Sequence, residues 1–531
     1  MTPRLLALVA VLLAAACAIG PHYHRPETAP PAQFRPPSTG EDSLSATYDA
    51  LAASRDSMAV RRRAAGDSGS ASGDSASAAA TRGPTPPGFQ LSDTAANVGW
   101  LDLFQDTVLT QLVVAAIQDN PDVRVAAATV QEFRAAFGQA TAGLFPTITI
   151  TGQTGRQKQT FGNVSVPGAA GAFTVPPQNY LEALGNVSWE LDFWGRLRNL
   201  RAEARANLLA QEESRRAVLL SLVGDVATAY LQLRQYDLDL AIAKRTLESR
   251  QATYRLSQQK FEGGAIAELD LRQFEGDVGD AAASVAAYEK QVAQAENQLS
   301  LLLGRSSEPI PRGRPLNEVL RAVDLPVGIP AQLLERRPDV QQAEAQLRSA
   351  TAGVGAAIDA RLPTLSIGGY WGYENFASSG IPLSDFTADN NRIYEIFTGI
   401  SIPIFDFGRL ANAQHAAEAR VLEARSAYQK AVLVALRDVN NQLAEVRNDR
   451  RQAVALETQV EALRIAYRLS RDRYEAGYAP YLDVLTAQRT LFTAEQSLVA
   501  VQFQGLAGVV GLYQSVGGGP IPMTATRSAG H

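Results

Sequence analysis

A single cysteine in 531 residues excludes an internal disulfide and any cysteine-rich metal site. Histidine is nearly as scarce: there are four, His22, His24, His415 and His531. The one close pair, His22 and His24, offers two ligands in a segment expected to be flexible, which makes a poor metal site. Basic clusters are missing too. Arg61, Arg62 and Arg63 stand alone in a polar stretch, and the net charge is −5, so the chain lacks the electrostatic footprint of a nucleic-acid binder. Beyond the amino terminus no uninterrupted apolar run reaches about eighteen residues, so no membrane-spanning helix is expected. P-loop, HExxH and GxSxG motifs are all absent, which points away from an enzyme and from any cofactor.

What is present begins with Thr2 to Arg4 ahead of an apolar run from Leu5 to Ala16. About twelve apolar residues are too few to span a bilayer, which takes about twenty. A short basic start, an apolar stretch and small residues at its end read as a secretion signal. Ala14-Ala15-Ala16 leads into Cys17, which predicts a lipoprotein signal over 1–16 and acylation of Cys17. The usual lipobox has Leu three places before the cysteine; here Ala14 holds that place and Leu13 precedes it. An N-terminal segment, 17–95, follows. Its Ala/Ser/Gly/Pro insertion, about 40–88, cannot bury enough surface to offset ordering entropy and is expected to be a disordered tether. The tail, 517–531, has a similar composition.

Between them the chain repeats itself. Asn120-Pro121-Asp122-Val123 returns as Arg337-Pro338-Asp339-Val340, and Pro146-Thr147 as Pro363-Thr364. Further on, Gly195-Arg196-Leu197 returns as Gly408-Arg409-Leu410, and Tyr254-Arg255-Leu256-Ser257 as Tyr467-Arg468-Leu469-Ser470. Steady offsets over two stretches indicate duplication. The expected halves are 96–316, with a strand pair at about 146–193 and a hairpin tip at about 261–270, and 317–516, with a strand pair at about 363–406 and a tip at about 474–483.

Each half predicts a lead helix, two strands, a long helix, a turn and another helix. The long segments alternate apolar spacings of three and four, as in Leu219, Leu222, Val226, Ala229, Leu233, Tyr236, Leu240, Ala243 and Leu247. The partner stripe runs through Val278, Ala281, Val285, Tyr288, Val292, Ala295, Leu299 and Leu302. The second half repeats this from Val432 to Tyr467, with Gln442 and Asp449 filling two seam positions. Sustained three-four spacing is the coiled-coil signature. A helix from Leu197 to Glu262 would be about 100 Å long.

The short segments alternate with period two. Ile148 and Ile150 alternate with threonines. Val187, Trp189 and Leu191 alternate with Asn186, Ser188, Glu190 and Asp192. Leu365, Ile367, Trp371 and Tyr373 form a third stripe, and Ile400, Ile402 and Ile404 a fourth. Such segments fit transmembrane β-strands, although a small soluble sheet shows the same alternation. Four strands cannot close a barrel, and an open edge in lipid leaves backbone groups unpaired. If these strands span a membrane, several copies must assemble, and about twelve strands enclose a pore where eight are filled by side chains.

These residues resemble a known family. Cys17-Ala18-Ile19-Gly20-Pro21-His22-Tyr23-His24-Arg25-Pro26, Trp100-Leu101-Asp102-Leu103-Phe104, Asn120-Pro121-Asp122, Leu191-Asp192-Phe193-Trp194-Gly195-Arg196, Arg337-Pro338-Asp339 and Phe405-Asp406-Phe407-Gly408-Arg409 are similar to the signposts of the lipoprotein, NodT-like branch of TolC-like outer-membrane factors. The resemblance implies a mainly α fold with membrane β: a homotrimer with a twelve-stranded barrel, and coiled-coil hairpins forming a helical tunnel. It implies a lipid-anchored protein of the bacterial outer membrane with a large periplasmic part. It also implies a passive exit duct of a tripartite efflux pump, working with a periplasmic adaptor and an inner-membrane transporter of the resistance-nodulation-division class. A type I protein-secretion channel shares the same duct, and a periplasmic coiled-coil scaffold is the remaining alternative.

A duct needs a gate, and the hairpin tips are its expected place. Gly264 and Gly477 would allow the turns. By resemblance, Leu482 matches an apolar ring, Asp483 an acidic ring, and Tyr474 and Asp270 positions that form closing bonds between hairpins. Two departures stand out: Thr486 replaces a second acid, and Ala479 replaces the arginine of the closing network.

Overall fold

Helices of 22, 67 and 35 residues occur in that order twice along the chain, each time with two strands between the first and the second. The elements are α1 (Thr107–Asp119), α2 (Pro121–Ala142), β1 (Thr147–Gln157), β2 (Gln178–Leu191), α3 (Arg196–Glu262) and α4 (Glu268–Leu302), then α5 (Pro338–Asp359), β3 (Thr364–Ala377), β4 (Arg392–Ser401), α6 (Arg409–Glu475) and α7 (Tyr481–Ser515). The computed structural model describes residues 21, 23–26, 104–158, 177–316, 335–377 and 385–518. Cys17, the 40–88 insertion and the tail beyond 518 lie outside the described residues.

Local chemistry explains where the helices begin. Pro121 and Pro338 sit at the first helical position, where the missing N–H costs nothing. Asn120 Oδ1 accepts from the backbone N–H groups of Asp122 and Val123 at 2.7 and 3.3 Å, capping α2. At the equivalent place Arg337 instead grips Asp339, Asp438 and the carbonyl of Ser515. The strand-to-helix turns share one device. Asp192 accepts from the N–H groups of Leu197 and Arg198 at 3.0 and 2.9 Å, capping α3. Asp406 does the same for α6, accepting from Gly408 at 3.0 Å and Leu410 at 2.9 Å.

The chain divides into two compact units that cut across both sequence halves. The first comprises residues 1–27, 128–212 and 342–429. It holds one antiparallel sheet in the order β1-β2-β3-β4, so β1 and β4 are the edges. The pairing puts Ile148 beside Val187, Ile150 beside Gly185, Trp371 beside both Gly185 and Tyr394, and Gly369 beside Ile396. Together with Leu181, Ile367 and Ile400 these make one face almost wholly apolar. The other carries Thr147, Thr149, Thr151, Gln153, Asn186, Glu182, Glu374 and Glu395. The apolar face is uncovered: Ile150 is 85% exposed and Ile396 82%.

Two strand expectations need correction. β4 ends at Ser401, so Ile402 and Ile404 lie beyond it; Pro403 between them has no N–H to give a ladder. β2 spans Gln178–Leu191, so Asp192, the last residue of the expected alternation, lies beyond it and caps α3 instead.

The second unit comprises 28–127, 213–341 and 430–531. Its core gathers Phe104, Leu109 and Val113 at the α1 end, Val226, Tyr230 and Leu233 from α3, Leu299 and Leu303 at the end of α4, and Leu506 and Val510 from α7. Burial follows the three-four stripes: Ala281, Ala295 and Leu299 on α4, and Val432, Ala435, Val439, Val446, Ala453 and Val460 on α6 are all buried. By length and composition alone, one stretch of α3 is apolar enough to cross a membrane, and 44% of that stretch is buried within the protein. α3 also buries Leu222, Val223, Val226, Ala227 and Tyr230 in this protein core.

Candidate functional site

Both hairpins of the second unit turn in the same way. Ala265 N–H donates to Lys260 O at 2.8 Å and Gly264 N–H to Phe261 O at 2.9 Å; Tyr478 to Arg473 and Gly477 to Tyr474 repeat the pattern at 2.9 and 3.0 Å. This is the two-bond helix ending that requires a left-handed residue. Gly264 (φ 71°) and Gly477 (φ 78°) fill that place.

Past the turns, α4 and α7 start at Glu268 and Tyr481 with no side-chain cap at Ala267 or Pro480. Asp270 and Asp483 lie in the first turns, where the helix dipole favours a negative charge. Asp270, Asp483 and Thr486 are exposed, and Leu482 is 66% exposed. Thr486 Oγ1 donates to the Leu482 carbonyl at 2.8 Å.

Tyr474 is the one predicted gate residue set among side chains. Its ring lies 5.6 Å from that of Tyr481, which in turn stacks at 4.0 Å on Phe274 of α4. Lys260 Nζ sits 4.8 Å from the Tyr474 centroid, a cation–π contact across the two hairpins. Burial, and then the charge of Asp270, push the Tyr474 hydroxyl above its ordinary pKa, so it stays protonated and able to donate. The Asp270 charge therefore acts on the Tyr474 hydroxyl within one chain.

Above the tips runs a polar network that the sequence reading missed. Arg489 of α7 donates to Asp277 Oδ1 of α4 at 2.9 Å. Arg250 of α3, buried, donates to the Asp277 carbonyl and to Asp280 Oδ2, both at 2.8 Å. Farther along α7, the buried carboxylate of Glu495 accepts from Arg464 of α6 at 2.8 Å and from Arg245 of α3. Gln488 reaches Ser249 of α3, whose hydroxyl meets Tyr467 of α6. A signal existed: continuing the three-four stripe past Leu247 lands on Arg250, a charge where an apolar residue belongs.

Glu190 and Arg196 pair at 2.7 Å where β2 gives way to α3. Aromatic side chains gather at the same end of the sheet: Trp194 donates to Pro363 O at 2.7 Å and stacks edge-on with Phe193 at 4.8 Å, and Phe405 and Phe407, both exposed, lie 4.5 Å apart. No group of three or more potential metal ligands occurs among the described residues.

The outer membrane efflux protein family model matches residues 112–305 and 329–518. The chain belongs to that family. It is accordingly an efflux protein of the outer membrane. The toluene efflux pump outer membrane protein TtgC of Pseudomonas putida is 32% identical over 440 residues, 82% of this chain and 89% of TtgC. The solved structure of CusC, a protein named in Escherichia coli as part of a cation efflux system, is 30% identical with a TM-score of 0.71, covering 83% of this chain and 99% of that one. The open state of the MtrE outer membrane channel of Neisseria gonorrhoeae is 28% identical with a TM-score of 0.70, covering 81% and 94%. The family and these relatives are transport proteins, and the fold is the mainly helical one of their solved channels.

Proposed function

We propose that the chain is the passive exit duct of a tripartite efflux pump, anchored by an acylated Cys17 and assembled as a homotrimer. One observation carries this: a four-stranded sheet with two open edges and one bare apolar face. Lipid tolerates the face but not the edges. Three copies joined edge to edge make twelve strands, satisfy every ladder and enclose a polar lumen. The two halves then act as equivalent repeats, and their hairpins continue the lumen as a helical tunnel. The tips form the periplasmic aperture, with Leu482 and Asp483 of each copy facing the axis, Thr486 one turn behind, and Tyr474 and Asp270 bracing the two hairpins. Asp483 repeated around the aperture favours cations. A periplasmic adaptor and an inner-membrane transporter deliver cargo to that end. Support for this assembly comes from TtgC and its like, which are named as efflux pump components.

The test is single-channel conductance of the purified full chain in planar bilayers, before and after Asp483→Ala. Small, stable steps that grow or lose cation preference in the mutant support both duct and aperture. A protein that neither inserts nor forms trimers is a periplasmic scaffold, and the duct reading fails.

A further inference from the structure

The two ends of the sheet differ. At its inner end β2 and β4 lead into α3 and α6; at its outer end β1 stops at Gln157 before a long connection, the side a barrel turns to the exterior. Arg156 and Arg392 each stand nine residues from the inner end of their strand, at Thr147 and Ser401. Nine residues are about 30 Å of strand. A tilt of about 35–45° reduces that to about 22–25 Å, the height of the apolar band of an outer-membrane barrel. Both arginines share the face of Ile148, Ile150, Ile396 and Ile400, and Lys158, just past β1, continues that alternation. All three are exposed, and none has an ion pair or side-chain hydrogen bond among the described residues. Asp389 meets Arg392 through its backbone carbonyl, and Glu395 lies on the opposite face.

Arg156 and Lys158 belong to one edge of the sheet and Arg392 to the other, so a single copy keeps them apart. The internal duplication says how a second copy brings them together. Thr147 faces Ser188 and Thr364 faces Ser401, so β1 matches β3 and β2 matches β4, residue for residue. The pairing of β2 with β3 joins the two halves of one chain. Joining β4 to β1 of a neighbouring copy in the matching register continues the ring at the same spacing. Ala183 opposite Tyr373 then becomes Ile396 opposite Arg156, and Leu181 opposite Asn375 becomes Tyr394 opposite Lys158. Glu182 opposite Glu374 becomes Glu395 opposite Gln157, which keeps the polar face continuous. Trp189 opposite Ile367 becomes Ile402 opposite Ile150, which gives the isoleucine beyond β4 an apolar neighbour. Facing residues have Cβ atoms about 4.5–5.5 Å apart and diagonal ones about 7–8 Å. Arg156 and Lys158 of one copy and Arg392 of the next therefore surround Tyr394.

We infer that each joint between copies binds the phosphate of an anionic lipid of the outer leaflet, held by Arg156 and Lys158 of one copy and by Arg392 and Tyr394 of the next. Arginine takes phosphate oxygens two at a time and lysine adds a point charge. Tyr394 supplies a hydroxyl donor and a ring at the height of the aromatic girdle. The joint inside the chain lacks the device: the positions matching Arg156, Lys158 and Arg392 are Tyr373, Asn375 and Asn179, all neutral. A trimer thus carries three such sites and not six. A lipid seated there ties two copies together and sets the depth of the barrel. The inference rests on the trimeric barrel proposed above.

The experiment uses trimers of the full chain purified in detergent, with diphosphoryl lipid A as the probe, and counts bound lipid by native mass spectrometry. Up to three lipid A molecules should bind each trimer and raise the temperature at which it dissociates. Arg156→Gln with Arg392→Gln should weaken binding about tenfold or more, the loss expected from charge-assisted bonds, and cancel the rise. Arg156→Lys with Arg392→Lys keeps the charge and should restore most of both. Undiminished binding by the double-glutamine variant overturns the site. Equal stabilisation by dephosphorylated lipid A, or by inorganic phosphate alone, overturns its assignment to a lipid phosphate. The register has its own check. Tyr394→Cys with Lys158→Cys should cross-link copies on oxidation, and Tyr394→Cys with Thr154→Cys, four residues out of register, should not; each single-cysteine change serves as the blank. The reverse result overturns the joint and the site with it. Stable, conducting trimers that ignore lipid A sink this inference and leave the duct standing, whereas a chain that never forms trimers removes the barrel itself.

Discussion

Arg489 on α7 donates to Asp277 on α4 across 2.9 Å, tying one helical hairpin to the other above the tips. Asp277 is almost wholly buried while Arg489 is more than half exposed, so the bond matters more to the acid than to the base. Arg489→Ala strands a buried carboxylate whose second oxygen already has no partner among the described residues. A loss of about 2–4 kcal/mol in stability is expected, with larger conductance steps as the hairpins part. Thermal unfolding and bilayer recording on one preparation check both.

Glu495 joins three helices through Arg245 and Arg464. Replacing it with Gln keeps the shape but gives up two ion pairs, and Arg464→Ala with Glu495→Gln should cost clearly less than the two changes summed. A double-mutant cycle by chemical denaturation, with a coupling of about 1–3 kcal/mol, is the expected result; additivity would show the arginines to be bystanders.

Asp239 is buried on α3, one carboxylate oxygen lacks a partner among the described residues, and burial raises its pKa from 3.8 to about 6. An acid whose folded pKa exceeds its unfolded value penalises the fold once ionised. No penalty exists below pH 3.8; it grows as pH rises through about 6 and is complete above. Its full size is on the order of 2–3 kcal/mol. Asp239→Asn should therefore raise the unfolding temperature at pH 7.5 and flatten its dependence between pH 4 and 6. A mutant whose profile parallels the wild type would refute this.

On the sheet, Ile396 and Thr149 are both exposed but lie on opposite faces. In the proposed barrel Ile396→Arg would place a charge toward lipid, at a cost of about 2–4 kcal/mol near the midplane, whereas Thr149→Arg would face the lumen. Outer-membrane yield of heat-modifiable trimers should fall sharply for the first and little for the second.

Much of this architecture is legible in the sequence. The long helices announced themselves through sustained three-four spacing, because a seam tens of residues long leaves few other solutions. The strands were visible through alternation, which carries both their existence and their apolar face. Their ends were not: the Ile400, Ile402, Ile404 alternation runs through Pro403, and a period of two cannot report that the partner strand has stopped. Asp192 and Asp406 were visible as parts of short motifs, while their work as caps appears only in the bonds to Leu197 and Leu410. Tyr23 Oη donates to Glu344 of α5 across 321 residues, and no local pattern encodes a contact at that distance.

The polar residues along α7 carry one more consequence. Gln488, Glu495 and Gln502 recur every seventh residue and all are buried, yet only Glu495 is charged, and only at its present height do Arg245 and Arg464 meet it. Sliding α7 one heptad along its axis in either direction would bring a glutamine opposite those arginines, and in one direction would carry the carboxylate to the height where Gln488 meets the neutral Ser249 hydroxyl. Such axial slippage is therefore uphill at every step. Lateral parting of the two hairpins would break the Arg245–Glu495 and Arg489–Asp277 bonds as well, so a widening of the tip begins with the loss of ion pairs and not with a slide.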